Sequence, residues 1–81
     1  MYSKDFCPWC DRARDFLKEK NISNVAVLKV GRDISPDDFR NIASTNGAKS
    51  TVPLIFYRAR ANQGWTLLGG YDNLVKYFET N

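Results

Sequence analysis

"YSKDFCPWC", residues Tyr2 to Cys10, holds both cysteines of this 81-residue chain, three positions apart with a proline and a tryptophan between them. Such a pair can be half of a metal clip, a structural staple or a reactive couple. Pro8 loses nothing in the first turn of a helix, where its missing N–H would have had no partner, and this makes Cys7 the N-cap residue. The N–H groups of Trp9 and Cys10 then point toward the Cys7 sulfur, and a thiolate accepts such bonds better than a thiol does. The position lowers the thiol pKa below the about 8.5 of a free cysteine, and Lys4 nearby adds to the effect. Cys10, one helical turn on, shares the face of Cys7 and can reach it to close a disulfide. It falls on the apolar stripe of the helix and is expected to be the buried member, so Cys7 attacks and Cys10 resolves. As a staple the pair would be poor, because stabilisation grows with the loop that is closed and this loop is tiny. The spacing favours a redox couple, with a metal bridge between two chains and an inert pair as the other readings.

Composition narrows the choice. Eighty-one residues make one domain, residues 1–81, whose fold buries only roughly 60% of the surface of the unfolded chain. A long substrate cavity is not expected. Hydrophobic residues at 43% and aromatics at 14% suffice for a packed core. There is no histidine, which removes His-based general base catalysis, and two cysteines alone cannot complete a four-ligand zinc shell. A net charge of +3, with acids and bases interleaved, suits small anionic ligands better than nucleic acid. No apolar run is long enough for a membrane span and no signal-peptide pattern opens the chain, so an intracellular, cytoplasmic protein is expected.

Along the chain, Cys10, Ala13, Phe16 and Leu17 recur at helical steps from Pro8 to Lys20, and Asn21 to Asn24 breaks the pattern. Val25 to Val30 reads as a strand. Ser35-Pro36-Asp37-Asp38 supplies an N-cap, a proline at the first helical position and two acids in the first turn. That helix turns Phe39, Ile42 and Ala43 inward and stops at Gly47. Leu54 to Tyr57 and Trp65 to Leu68 read as a hairpin across an Arg58–Gly64 loop, and Gly69-Gly70 leads into a last helix from Tyr71 to about Glu79. Leu74, Val75, Tyr77 and Phe78 make the apolar face of that helix, while Trp65, Phe56 and Phe78 are assigned to the core. Phe6 could serve the core or flank the reactive sulfur. The order predicts an α/β fold with a mixed four-stranded sheet, its first strand short, covered by three helices.

The opening "YSKDFCPWC" resembles the active-site segment of dithiol glutaredoxins, which typically carry tyrosine where this chain has Trp9. "TVP" at Thr51 to Pro53 and "GGYDNL" at Gly69 to Leu74 resemble the other two glutaredoxin signatures, in the same order and spacing. The ending "GGYDNLVKYF" is also similar to small phage-encoded glutaredoxins. The resemblance implies a thioredoxin-like fold in which Pro53 is cis and faces the reactive cysteine. Val52 would then offer its backbone to an extended cysteine-containing peptide such as glutathione. It further implies that the turn at Gly69 and Gly70 lets the N–H groups of Tyr71 and Asp72 hold the γ-glutamyl carboxylate, that the Asp72 side chain pairs with the γ-glutamyl ammonium, and that Lys4 faces the glycyl carboxylate. Asp72 could instead act only as an N-cap. Trp9 would flank the bound thiol. Arg40 and Lys49 are weaker candidates for ligand contact, and the Arg58–Gly64 loop reads as solvated decoration more readily than as a partner contact.

The activity so implied is glutathione-dependent thiol–disulfide exchange by a monomer. No metal or other cofactor is bound, glutathione is the co-substrate, and disulfide-containing proteins are the clients, ribonucleotide reductase being one at the level of the family. Two further readings stand beside it. One is a thioredoxin-like hydrogen donor reduced by a flavoprotein reductase. The other is a dimeric zinc or iron–sulfur scaffold using Cys7 of two chains, against which Pro8 argues, because cluster-binding relatives generally carry a small, flexible residue there.

Overall fold

The structure is a computed structural model that describes residues 1–80. Its elements run β1 (Tyr2–Ser3), α1 (Pro8–Glu19), β2 (Leu28–Lys29), α2 (Pro36–Thr45), β3 (Ile55–Tyr57), β4 (Thr66–Gly69) and α3 (Tyr71–Thr80). β1 runs parallel to β2, with Tyr2 opposite Leu28 and Ser3 opposite Lys29. β3 runs antiparallel to β4, with a register irregularity between Ile55 and Phe56.

The expected continuous four-stranded sheet is instead two two-stranded sheets joined at one bridge, between Tyr2 and Leu54. The Tyr2 N–H donates to the Leu54 carbonyl at 2.8 Å and the Leu54 N–H returns a bond to Tyr2 at 3.1 Å. On the opposite edge of the same strand, the Met1 and Ser3 carbonyls accept from Leu28 at 2.9 Å and from Val30 at 2.8 Å. A strand of two residues can offer no more than this, since successive residues turn their backbone groups to opposite neighbours. The same limit shortens the second strand: of the Val25–Val30 segment only Leu28 and Lys29 pair as strand.

Side chains alternate across this surface and so build two half-cores. Ile55 joins Ala13, Leu17 and Leu74 on the side of α1 and α3, with Met1, Phe16, Leu68 and Phe78 packed against them. Leu54 joins Phe39 and Ala43 on the side of α2, with Tyr2, Phe56 and Leu67 against them. The result is a helix–sheet–helix sandwich. Phe56 and Phe78, assigned to the core, are half-buried and pack against its two clusters. Trp65 does not: it is 58% exposed, because the β3–β4 ladder ends at the Tyr57–Thr66 pair and Trp65 lies beyond it, capped only by the Arg58 guanidinium at 4.4 Å. Tyr77, expected on the apolar face of α3, is also exposed and stacks on Tyr57 at 5.3 Å. The Arg58–Gly64 loop is tied to itself, with Arg58 donating to the Ala61 carbonyl at 3.0 Å and the Gln63 N–H to that of Arg60 at 3.0 Å.

Both long connections leave their helices by the same device. After α1, Asn21 takes φ 60° while its N–H bonds Lys18 at 3.0 Å and that of Ile22 bonds Leu17 at 2.9 Å. After α2, Gly47 takes φ 69° while its N–H bonds Ser44 at 3.1 Å and that of Ala48 bonds Ala43 at 2.8 Å. These are Schellman endings, which satisfy the last carbonyls and turn the chain back toward the sheet. α2 begins as read from the sequence, with the Ser35 hydroxyl accepting from the Asp38 N–H at 3.1 Å and Pro36 in the first turn.

Leu74 is 1% exposed at the α1–α3 contact. Leu74→Ala should lower unfolding free energy by about 2–4 kcal/mol, the cost of a cavity in a core with few neighbours able to close it. Urea denaturation checks this, and a loss under about 1 kcal/mol would mean that the two helices are not held together there.

Candidate active site

Cys7 caps α1 with extended backbone, φ −118° and ψ 99°, and its sulfur accepts from the Cys10 N–H at 3.2 Å. Its carbonyl accepts from Asp11 at 3.1 Å, which starts the helical ladder. Of the two N–H groups expected to reach the sulfur, only that of Cys10, the third helical residue, does so. Cys7 and Cys10 are disulfide-bonded, their Cα atoms 5.2 Å apart. Cys10 is 2% exposed, as its place on the apolar stripe requires, but Cys7 at 6% is also buried. In the oxidised state the two therefore differ less in exposure than the sequence suggests, and what separates them is the cap position of Cys7.

The loop before Cys7 is clamped. The Asp5 carboxylate accepts from Lys29 Nζ at 2.8 Å and lies 3.1 Å from Arg32, which pins the loop to β2 and to the turn that follows it. The Lys29 hydrogen bond is the main cause that holds the Asp5 carboxyl below its ordinary pKa; desolvation opposes it, and the charges of Arg32 and Lys29 add to the lowering. Lys4 is exposed on the same loop. Between Asp5 and Cys7, Phe6 sits at φ 57° with its side chain entirely in solvent.

Trp9 is 51% exposed, as expected for a residue flanking the sulfurs, and one side of it is organised by contacts. Its ring lies 5.6 Å from that of Tyr71, and the Arg12 guanidinium stands 4.6 Å from the ring centroid. Tyr71 in turn meets Phe16 of α1 edge-on at 6.4 Å. The first turn of α3 is thereby fastened beside the first turn of α1.

The Val52–Pro53 peptide is cis. Pro53 is buried, Val52 half-buried and Thr51 exposed. Neither the N–H nor the C=O of Val52 makes a hydrogen bond among the described residues. A Cβ on Gly70 would stand 3.6 Å from the Pro53 carbonyl oxygen, so the proline loop and the glycine turn are in contact. Gly69 needs its glycine for two reasons, a φ of 123° and the Asn73 side chain, whose Oδ1 would lie 2.6 Å from an added Cβ.

Gly70 caps α3: its carbonyl accepts from Leu74 at 3.0 Å and its N–H donates to Asn73 Oδ1 at 3.2 Å, one half of a capping box. The capping role weighed for Asp72 therefore falls to Gly70 and Asn73, and Asp72 is left exposed on the first turn. Arg40 is engaged by Asp37 on its own helix, and Lys49 is exposed. The Asp5–Lys29–Arg32 clamp, Arg12 and Asn73 escape sequence reasoning. Asn73 had a local signal, a side-chain acceptor three residues after a glycine cap. The clamp had none, since it depends on the β1–β2 register.

The comparisons with known proteins agree with this geometry. The glutaredoxin family model matches residues 1–60. The chain belongs to the glutaredoxin family. The glutaredoxin of Neisseria meningitidis serogroup A is 32% identical over 76 residues, 94% of this chain and 79% of that protein. Glutaredoxin-1 of Rhizophagus irregularis is 29% identical over 75 residues, 93% of this chain and 67% of its own length. An uncharacterized monothiol glutaredoxin of Caenorhabditis elegans is 25% identical over 72 residues, and this chain spans only 45% of its length. No solved structure matches the chain. Membership makes the protein a thiol–disulfide oxidoreductase of thioredoxin-like α/β fold with three helices, and Cys7 and Cys10 are its redox pair. Among the described residues no helix is long and apolar enough to cross a membrane.

Once the disulfide is reduced, the Cys10 N–H and the helix end remain aimed at the Cys7 sulfur, and both favour thiolate. Titration of the reduced glutaredoxin, followed by thiolate absorbance, should give Cys7 a pKa below that of a free cysteine. A value at or above about 8.5 would contradict the cap argument.

Proposed function

We propose that this glutaredoxin reduces protein–glutathione mixed disulfides and protein disulfides with glutathione as the electron source. One observation carries the reading: the Cys7–Cys10 helix start, the Thr51–Pro53 loop and the Gly70–Asp72 turn converge, through the Trp9–Tyr71 ring contact and the Gly70–Pro53 approach. The unpaired N–H and C=O of Val52 suit the backbone of an extended peptide laid beside the sulfur. The N–H groups opening α3 at Tyr71 and Asp72 suit a carboxylate, and the exposed Asp72 side chain suits the ammonium beside it on a γ-glutamyl group. Lys4 is the cation for the glycyl carboxylate, and Trp9 flanks the bound thiol.

In this mechanism the Cys7 thiolate attacks the glutathione sulfur of a mixed disulfide. A new Cys7–glutathione bond forms, the old S–S bond breaks, and the client leaves as thiolate and takes a proton from water. A second glutathione thiolate then attacks the glutathione sulfur, releasing glutathione disulfide and restoring Cys7. With a protein disulfide, Cys7 first joins the client, and Cys10 displaces it to give the Cys7–Cys10 disulfide, which two glutathione molecules reduce. Clients reached by that second route include, at the level of the family, ribonucleotide reductase. The protein works as a monomer in the reducing cytoplasm, with no bound metal or cofactor.

The two cysteines should then differ in consequence. Cys7→Ser should abolish both reactions, while Cys10→Ser should keep deglutathionylation and lose most reduction of protein disulfides; equal losses in the two assays would overturn the assignment of roles. The electron source is tested by competition between glutathione and a thioredoxin reductase, run on wild type and on Asp72→Ala. Asp72 is exposed, so its charge pair with the γ-glutamyl ammonium is worth about 1 kcal/mol, or roughly fivefold in kcat/KM for glutathione. Preference for the reductase, with glutathione turnover indifferent to Asp72→Ala, would assign the protein instead to the thioredoxin-like hydrogen donors.

A further inference from the structure

Phe6 is the least expected residue beside the site. A bulky side chain at φ 57° is a backbone outlier that persists only where its surroundings hold it. Here they do. On one side Asp5 is tied by Lys29 and Arg32, and on the other Cys7 is fixed by the hydrogen bond that caps α1. The ring gains nothing from its own fold, since it is wholly exposed. Two residues beyond the sulfur, Trp9 shows half its surface on the same helix start. Two exposed aromatics thus bracket Cys7 in sequence, which is how apolar anchors of an interface present themselves.

Cations outnumber acids around them. Lys4 lies on the loop, Lys29 and Arg32 both reach Asp5, and Arg12 rests over Trp9. Asp5 is shared between two cations, Asp11 is paired with Arg14 at 2.7 Å, and Asp72 stands exposed on the first turn of α3. We propose that Phe6 is a client-contacting residue. Together with Trp9 it receives an apolar side chain next to the target cysteine of a polypeptide, within a basic rim that selects acidic residues further out. The inference rests on the thiol-exchange reading and adds to it a client class: polypeptides whose disulfide cysteine has an apolar neighbour and acidic flanks. The first residue of the exchange pair supplies the chemistry, and the residue before it supplies the selection.

A single exchange step tests this without glutathione. The probes are short peptides carrying one cysteine as a mixed disulfide with 5-thio-2-nitrobenzoate. One peptide has a leucine beside the cysteine and glutamates beyond, another has serine and lysines, and the 2-mercaptoethanol mixed disulfide is the control. Cys7 thiolate of the reduced protein forms a disulfide with the peptide sulfur and expels coloured thionitrobenzoate, so one S–S bond replaces another. Phe6→Asn is the variant, because asparagine tolerates the left-handed backbone and leaves the loop unstrained. Wild type should react faster with the leucine–glutamate peptide than with the serine–lysine one. Phe6→Asn should lose about tenfold on the former, the worth of one buried aromatic contact, and nothing on the control. Equal losses on peptide and control, no loss on the peptide, or preference for the basic peptide would each overturn the proposal. So would wild-type dimers that Phe6→Asn dissociates, which would give the face to a second copy of the chain. Failure of glutathione turnover in the separate competition assay leaves these rates unaffected, so the two readings fail independently.

Discussion

The hydrogen bond from the Cys10 N–H to the Cys7 sulfur, 3.2 Å long, ties the chemistry of this protein to its fold. It closes the first turn of α1 and thereby fixes where the helix begins. The beginning in turn fixes which residues face inward, because the apolar stripe Cys10, Ala13 and Leu17 must meet Leu74 and Ile55. A start one residue earlier or later would turn the helix by about 100° relative to its cap and carry Cys10 out of the core. The reactive sulfur thus sits at a place that packing defines, and the same N–H that orders the helix stabilises negative charge on the sulfur. Pro8 secures the arrangement by pre-setting the backbone of the first turn at no cost in hydrogen bonds.

The rest of the site is brought to this helix start by two small sheets bridged at Tyr2, which carries most of the organisation. Its N–H and C=O hold Leu54, hence the end of the proline loop, while the neighbouring Met1 and Ser3 carbonyls hold β2 and with it Lys29. Its ring packs on Phe39 at 5.5 Å and on Phe56 at 5.9 Å, which joins α2 to the hairpin. One residue therefore registers the Asp5 clamp on one side and the Val52–Pro53 peptide on the other. Extra strand length would stiffen the sheet, but the position of the site depends only on the residue pair next to it.

Local patterns were legible in the sequence and long-range ones were not. The cap and proline of α1, the Ser35–Pro36 start of α2 and the Gly47 ending all follow from chemistry within a few residues, and each stands where it was read. The three signature segments were picked out by their resemblance to glutaredoxin motifs, and the Trp9–Tyr71 and Gly70–Pro53 contacts link them in the fold. What failed depends on how much partner is available. Val25 to Val30 has strand composition throughout, yet pairing stops where β1 runs out. Trp65 has the composition of a core residue, yet no layer lies over it beyond the last hairpin pair. The near-equal burial of Cys7 and Cys10 escaped for a related reason, since exposure at a helix start is set by the loops that fold over it.

Chemistry and recognition are divided between two kinds of support in this molecule. The sulfurs and the capping N–H groups belong to the starts of α1 and α3, which are fixed to one another by Trp9, Tyr71 and Phe16 and by the core beneath. Groups able to meet a partner lie instead on exposed turns: Lys4 and Phe6 before Cys7, Thr51 before the proline, Asp72 at the surface of α3. Rigid placement matters most for the sulfur, because thiol–disulfide exchange requires the attacking, central and leaving sulfurs to line up, and a small displacement costs rate steeply. The turns can vary in side chain without disturbing that line, provided their backbone anchors persist. Asp5 is such an anchor for the first turn and the contact between Gly70 and Pro53 for the other two. A change at Lys4, Phe6 or Asp72 should therefore alter which partner is accepted, whereas a change at Asp5 or Gly70 alters the placement of everything the turn carries.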